Sequence, residues 1–257
     1  MTTPPDQPND SWAFLRRFTF ARIALGHAGG SVPTQALLDF RLAHARARDA
    51  VYHAMDIDRL QQALQELALL QIRVNSLAEN RTTYLQRPDL GRSLHPDSRQ
   101  ILTAANKTTD YDIVFMIGDG LSAIAVEQHA TALLAATLPA LHQQKWRIGP
   151  LILAEQARVA LGDDVGKTLG TKLIVVIIGE RPGLSSPDSM GIYLTWAPRP
   201  GRTDAERNCI SNIRPQGLSM ADAANKLLYL INQARRLRLS GIELKDETSS
   251  FLTVSKD

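Results

Sequence analysis

The sequence predicts an α/β fold: a Rossmann-like, mostly parallel sheet with helices on both faces, preceded by a smaller helical N-terminal portion. Three observations predict it. From about residue 110, short apolar runs alternate with helix-length segments, the order that crossover connections between parallel strands produce. The runs at 111–117 and 172–178 are apolar nearly throughout, as in strands covered on both faces. Before residue 107, apolar residues recur at three- and four-residue spacing instead.

In chain order, residues 1–11 are polar and proline-rich and read as a disordered tail. Segment 12–25, WAFLRRFTFARIAL, mixes aromatic and basic residues and reads as a docking arm or a first helix. Val32-Pro33-Thr34 is a helix entry, after which Leu37, Leu38, Leu42, Ala45 and Val51 follow near helical spacing. Residues 58–78 read as a second amphipathic helix, with Leu60, Leu64, Leu67, Leu70 and Val74 on one stripe. Pro88 and Gly91 break 84–94 into loop and turn. These segments make the helical portion over 12–106. The Rossmann-like domain spans 107–246. Its strands are expected at 111–117, 146–154, 172–178, 191–197 and 208–214. Its helices are expected over 122–141, within 155–170, and over 220–239, the last closing at Ser240-Gly241. Residues 247–257 form a C-terminal tail.

Composition narrows the function classes. The chain has 257 residues, of which 44% are hydrophobic, enough for a sizeable core. Its 29 basic and 26 acidic residues are interspersed and do not argue for nucleic acid. The longest aliphatic stretch, 173–178, is far short of the roughly 20 residues that span a bilayer, so no membrane association is expected. The start lacks the apolar core of a secretory signal, and the single Cys209 excludes an internal disulfide. A cytoplasmic protein is expected.

The motifs are few. Gly118-Asp119-Gly120 followed by Ala123 sits between a strand and a helix, where glycines can let a dinucleotide approach a helix N-terminus. No acidic residue is well placed to hold a ribose, and a tight strand-to-helix turn is the alternative. Glu180, in GERPG, lies at the carboxyl end of the 172–178 strand, where open α/β sheets bind ligands. Gly179 and Gly183 leave room there, and Pro182 and Pro187 limit the loop's freedom. A carboxylate in that place can accept from ligand amides or hydroxyls; the alternative is a Glu180–Arg181 surface pair. Cys209 reads as a small buried hydrophobe, with no basic partner nearby in the chain to make it a nucleophile. The six histidines are scattered without metal-ligand spacing, so no protein-held metal is expected. There is no G-x-S-x-G. The sequence assigns no catalytic residue.

The stretches ARIALGHAG, LAHARARDAV, YLQRPDLGR, GDGLSA, RVALGDDVG, IGERPGLSSPDSMGIYLT and RNCISNIRPQGL together resemble the small (light) subunit of ethanolamine ammonia-lyase. The resemblance runs over about 21–246, and GERPGL with CISNI is its most specific part. It implies adenosylcobalamin as cofactor, with contacts that fall on Val159, Glu180 and Cys209. It also implies a larger partner, a TIM barrel that carries the substrate pocket and the catalytic side chains, in an assembly of six large and six small subunits. The small subunit would clamp the cobalamin at the interface while ethanolamine becomes acetaldehyde and ammonia. The chain has no D-x-H-x-x-G, so the cofactor would keep its own dimethylbenzimidazole on cobalt. Several relatives carry a longer N-terminal extension associated with a bacterial microcompartment. Here only a short proline-rich stretch precedes Trp12, so the resemblance leaves both a free cytoplasmic complex and one inside such a compartment open. A stand-alone nicotinamide enzyme and a non-catalytic assembly protein are the rival readings.

Overall fold

The computed structural model describes residues 12–19, 21–106 and 110–247. The expected tail at 1–11 and most of that at 247–257 lie outside the described residues. Six strands form one sheet in the order β1-β3-β2-β4-β5-β6. They are β1 (Gln71–Asn75), β2 (Ile113–Gly118), β3 (Ile148–Glu155), β4 (Leu173–Gly179), β5 (Met190–Trp196) and β6 (Asn208–Ile213). The first four strands in this order are mutually parallel, and β5 and β6 are added antiparallel. The helices are α1 (Thr34–Tyr52), α2 (Ile57–Ala63), α3 (Arg81–Gln86), α4 (Pro96–Ala105), α5 (Ala123–Gln143), α6 (Leu161–Leu169) and α7 (Met220–Leu237). This is the α/β, mostly parallel class that the alternation predicts.

The strand side chains alternate between two cores. Phe115, Ile117, Leu153, Val175, Ile177 and Ile192 meet α5 and α7 on one face. Met116, Ile152, Ile174, Val176 and Ile178 meet α4 and α6 on the other. Burying β2 and β4 on both faces requires apolar residues at successive positions, which is why those runs read so plainly. Beyond β4 the second face changes. The hairpins joining β4, β5 and β6 bring no crossover helix, and α6 packs mainly on β4. Tyr193 is half-buried there, and Cys209 is exposed.

The segment 58–78 corrects the expectation of one helix. Here α2 ends at Ala63, Ala68 takes a left-handed φ of 53°, and the chain re-enters as β1. Ile72 and Val74 are buried while Arg73 and Asn75 are exposed, a period of two. Segment 84–94 holds a 3-10 turn as expected, but Tyr84 lies within the short helix α3. Segment 13–18 is a 3-10 turn, and all of its residues are at least partly exposed. Helix α1 buries only Ala43 and Ala50, leaving Leu38, Phe40 and Leu42 exposed. No described helix is long and apolar enough to cross a membrane.

Candidate functional site

The carboxyl ends of the parallel strands gather the polar residues. Asp119, which follows β2, is 3% exposed. Its carboxylate accepts from the Gln156 and Ala157 N–H groups at 2.9 and 2.8 Å, tying the loop after β2 to the loop after β3. Arg81 Nη1 lies 3.4 Å from the same carboxylate and donates to the Gly120 carbonyl at 2.8 Å. Burial pushes the Asp119 carboxyl up to about 6, against the pull of the Ala157 N–H and the Arg81 guanidinium. Tyr84, fully buried, donates to the Ala157 carbonyl at 3.0 Å. The guanidinium carbons of Arg81 and Arg158 lie 4.8 and 4.2 Å from its ring centroid. The 156–160 loop, which carries Val159, is thereby fixed from below.

Gly118 and Gly120 serve this packing. A Cβ on Gly120, whose φ is +59°, would sit 2.1 Å from the Gly179 carbonyl oxygen. One on Gly118 would sit 2.9 Å from Ala157 Cβ. The glycines bring β2, β4 and the β3 loop together, which is the tight-turn reading of the motif. Ser122, the residue before α5, donates to the Pro187 carbonyl, and the Leu121 N–H donates to that of Gly179. The loop after β4 thus folds against the start of α5.

Glu180 stands at the rim. Its Oε2 accepts from Ser189 Oγ and, at 3.2 Å, from the Asn212 N–H. Its Oε1 has no donor among the described residues. There is no Glu180–Arg181 ion pair among them either, so that alternative falls away. One carboxylate oxygen is anchored and the other is left to accept.

Below Glu180, the uncovered part of β5 and β6 forms a shelf. Tyr193 and Cys209 are paired in register on its floor. Val159 and Tyr193 both pack against the core cluster of this sheet face. The Val159 carbonyl accepts from the Gly162 N–H at 3.0 Å. Cys209 is exposed, not buried as its residue type suggests, because no helix covers β6 on this face. Neighbouring chain still desolvates the thiol enough to push it up; Tyr193 pulls it back, and the Glu180 charge raises it further. It is held protonated, which disfavours a nucleophile. Glu180, Tyr193 and Cys209 thus stand together on this shelf, and Val159 lies in the loop before α6.

The far end of the shelf is closed by an ion pair that the sequence reading missed. Arg207, just before β6, donates to both oxygens of Asp163 on α6, at 2.7 and 2.6 Å. It also donates to Thr195 Oγ1 at 3.0 Å. Both charged side chains are 2% exposed. This pair joins the helix beside Val159 to the strand that carries Cys209. Its only sequence signal is an acid at the first turn of a short helix and an arginine before a strand.

A cleft of about 810 Å³ opens beside the same loops, between α1 and residues 181–184. It is lined by His44, Arg48, Arg92, Arg158 and Arg181, and by no carboxylate. The buried Nε of Arg158 has no partner. Among the described residues no cluster of His, Cys, Asp and Glu could hold a metal.

The chain is similar to known proteins over nearly its whole length. Residues 9–245 match the family described as "Ethanolamine ammonia-lyase light chain (EutC)". The ethanolamine ammonia-lyase small subunit of Xanthomonas campestris pv. campestris is 51% identical over 249 residues, covering 96% of this chain and 92% of its own. The protein of that name from Azotobacter vinelandii is 53% identical over 238 residues, covering 92% and 88%. That of a Pseudomonas fluorescens strain is 49% identical over 262 residues, covering 100% and 95%.

Proposed function

The chain belongs to the ethanolamine ammonia-lyase light-chain family, and we propose that it clamps adenosylcobalamin against a larger catalytic subunit. It is a component of a lyase complex. The observation that carries the clamp reading is the Glu180 carboxylate, anchored through Oε2 and open at Oε1, above a floor without a helix.

The residues fit such a group. A corrinoid is wide and flat, with amides around its rim, and needs an uncovered surface with few but fixed polar atoms. Glu180 would accept from an amide or hydroxyl, and Val159 and Cys209 would pack beneath it. The arginine cleft, with its unpartnered Arg158 Nε, suits the phosphodiester that a cobalamin carries. When bound, the cofactor supplies the radical that abstracts hydrogen from ethanolamine on the way to acetaldehyde and ammonia. This chain contributes holding and orientation, and the acid–base groups belong to the large subunit. We place the complex in the cytoplasm, as a TIM-barrel large subunit with this chain in six copies of each. The division at residue 107 is part of the reading: the portion 12–106 lends only β1 to the sheet of the cofactor domain.

The test is Glu180→Ala in the reconstituted complex. Cobalamin affinity should fall by about tenfold or more, with near-normal ammonia release at saturating cofactor. Unchanged affinity, or a large loss of turnover at saturation, would overturn the clamp.

A further inference from the structure

At the opposite end of the sheet from Glu180 lies a second cleft, of about 710 Å³. It is bounded by the amino ends of β2, β3 and β4 and the carboxyl ends of α5 and α7. Its rim carries five exposed cations: Lys145, Arg147, Lys172, Arg235 and Arg238. Its floor holds Trp146, Trp196 and Asp112. Asp110 and Asp112 engage Arg147 and Lys172. Lys145, Arg235 and Arg238 have no carboxylate partner among the described residues. Arg235 lies instead with its guanidinium carbon 4.5 Å from the Trp146 ring centroid.

Cations near helix carboxyl ends complement the helix dipole, and that accounts for part of this rim. Each helix end supplies about half a negative charge. With two carboxylates added, about two positive charges remain uncompensated at the mouth of the cleft. The backbone supplies a separate observation. Lys145 and Arg238 both adopt a left-handed φ of 57°. Glycine takes that conformation without strain and is the usual residue just past a helix end. A lysine and an arginine there are both strained. Of the seven non-glycine residues with a positive φ among the described ones, these two are the only cations, and both stand on this rim.

We propose that this cleft binds a phosphate-bearing polyanion, with Lys145, Arg235 and Arg238 holding phosphate oxygens above Trp196. The phosphate chemistry is shared by nucleoside polyphosphates and inorganic polyphosphate. The site is independent of the corrinoid shelf.

Calorimetric titration of the complete two-subunit complex with ATP and with inorganic triphosphate tests it. Both should bind with dissociation constants below about 1 mM, weakening as salt rises. Tighter binding of ATP assigns the nucleoside source, with Trp196 against the base; equal binding assigns the phosphate chain alone. Lys145→Gly with Arg238→Gly should weaken binding by about tenfold or more, without lowering the melting temperature. Lys145→Gln with Arg238→Gln keeps polar side chains without their charge and should lose affinity equally. Glu180→Ala should leave triphosphate affinity unchanged, which separates this site from the corrinoid reading. Absence of binding at 1 mM, on the order expected for weak sites, would overturn the proposal. So would unchanged affinity in both double variants, or capture of an oligoglutamate where triphosphate does not bind.

Discussion

Removing Asp163 should damage stability and cofactor affinity together. Asp163→Ala deletes two charge-assisted hydrogen bonds, of 2.7 and 2.6 Å, and leaves the Arg207 guanidinium 2% exposed. Thr195 Oγ1 and the Arg202 carbonyl, each at 3.0 Å, would remain, but neither carries a formal charge. Asp204, at 3.6 Å, is fully exposed and screened. Breaking a buried pair from one side costs about 3–5 kcal/mol. In a chain of this size that lowers the melting temperature by about 6–20 °C. Urea unfolding of wild type and variant reads the difference directly. Asp163→Leu with Arg207→Met fills the same space without charge and should recover most of the loss. Because the pair ties α6, which follows Val159, to the residue before β6, Asp163→Ala should also weaken cobalamin binding in the complex by loosening the strand that carries Cys209. A stability loss under about 1 kcal/mol would refute the burial argument. A full loss with unaltered cobalamin affinity would refute the positioning argument.

Three further outcomes are expected. Asp119 titrates near 6 when folded, above the ordinary range of about 3.9, so its contribution is greatest at low pH and is lost as pH rises through 6. The difference in urea stability between wild type and Asp119→Asn should shift by about 2 kcal/mol toward the variant from pH 4 to pH 7; parallel curves would contradict it. Gly120→Ala places a Cβ 2.1 Å from the Gly179 carbonyl oxygen at a left-handed φ, and thermal melts should show a loss of about 3 kcal/mol or more. Cys209 is exposed but held protonated, so its alkylation by iodoacetamide should be slow at neutral pH and keep accelerating above pH 9, a range on the order of the free thiol's own titration. Bound cobalamin should protect it.

The legible parts of the fold were those whose signal is local. Strands β2 and β4 are buried on both faces and announce themselves as unbroken apolar runs. Strand β1 does not, because Leu60, Leu64, Leu67, Leu70 and Val74 keep a helical spacing across a chain reversal at Ala68. Its identity comes from pairing with β3, about 80 residues on, where Gln71 is opposite Leu151. The site divides in the same way. Glu180 stood out as an acid after a strand, between glycines. Val159 and Cys209 come from resemblance alone, and the exposure of Cys209 depends on the absence of a helix over β6. The roles of Asp119, Arg81 and Tyr84 are not legible in sequence because their partners lie 30 to 73 residues away.

The change of direction after β4 has a consequence for what the shelf can tolerate. Parallel strands must be joined by a segment that crosses the sheet, and that segment roofs one face. By doubling back at 180–189 and again at 197–207, the polypeptide gains two strands and lays no crossover helix over their second face. The opening is therefore a property of chain topology. A broader or narrower flat molecule could be accommodated by changing surface residues of β5 and β6, with no interior residue repacked, and only an inserted crossover would shut it.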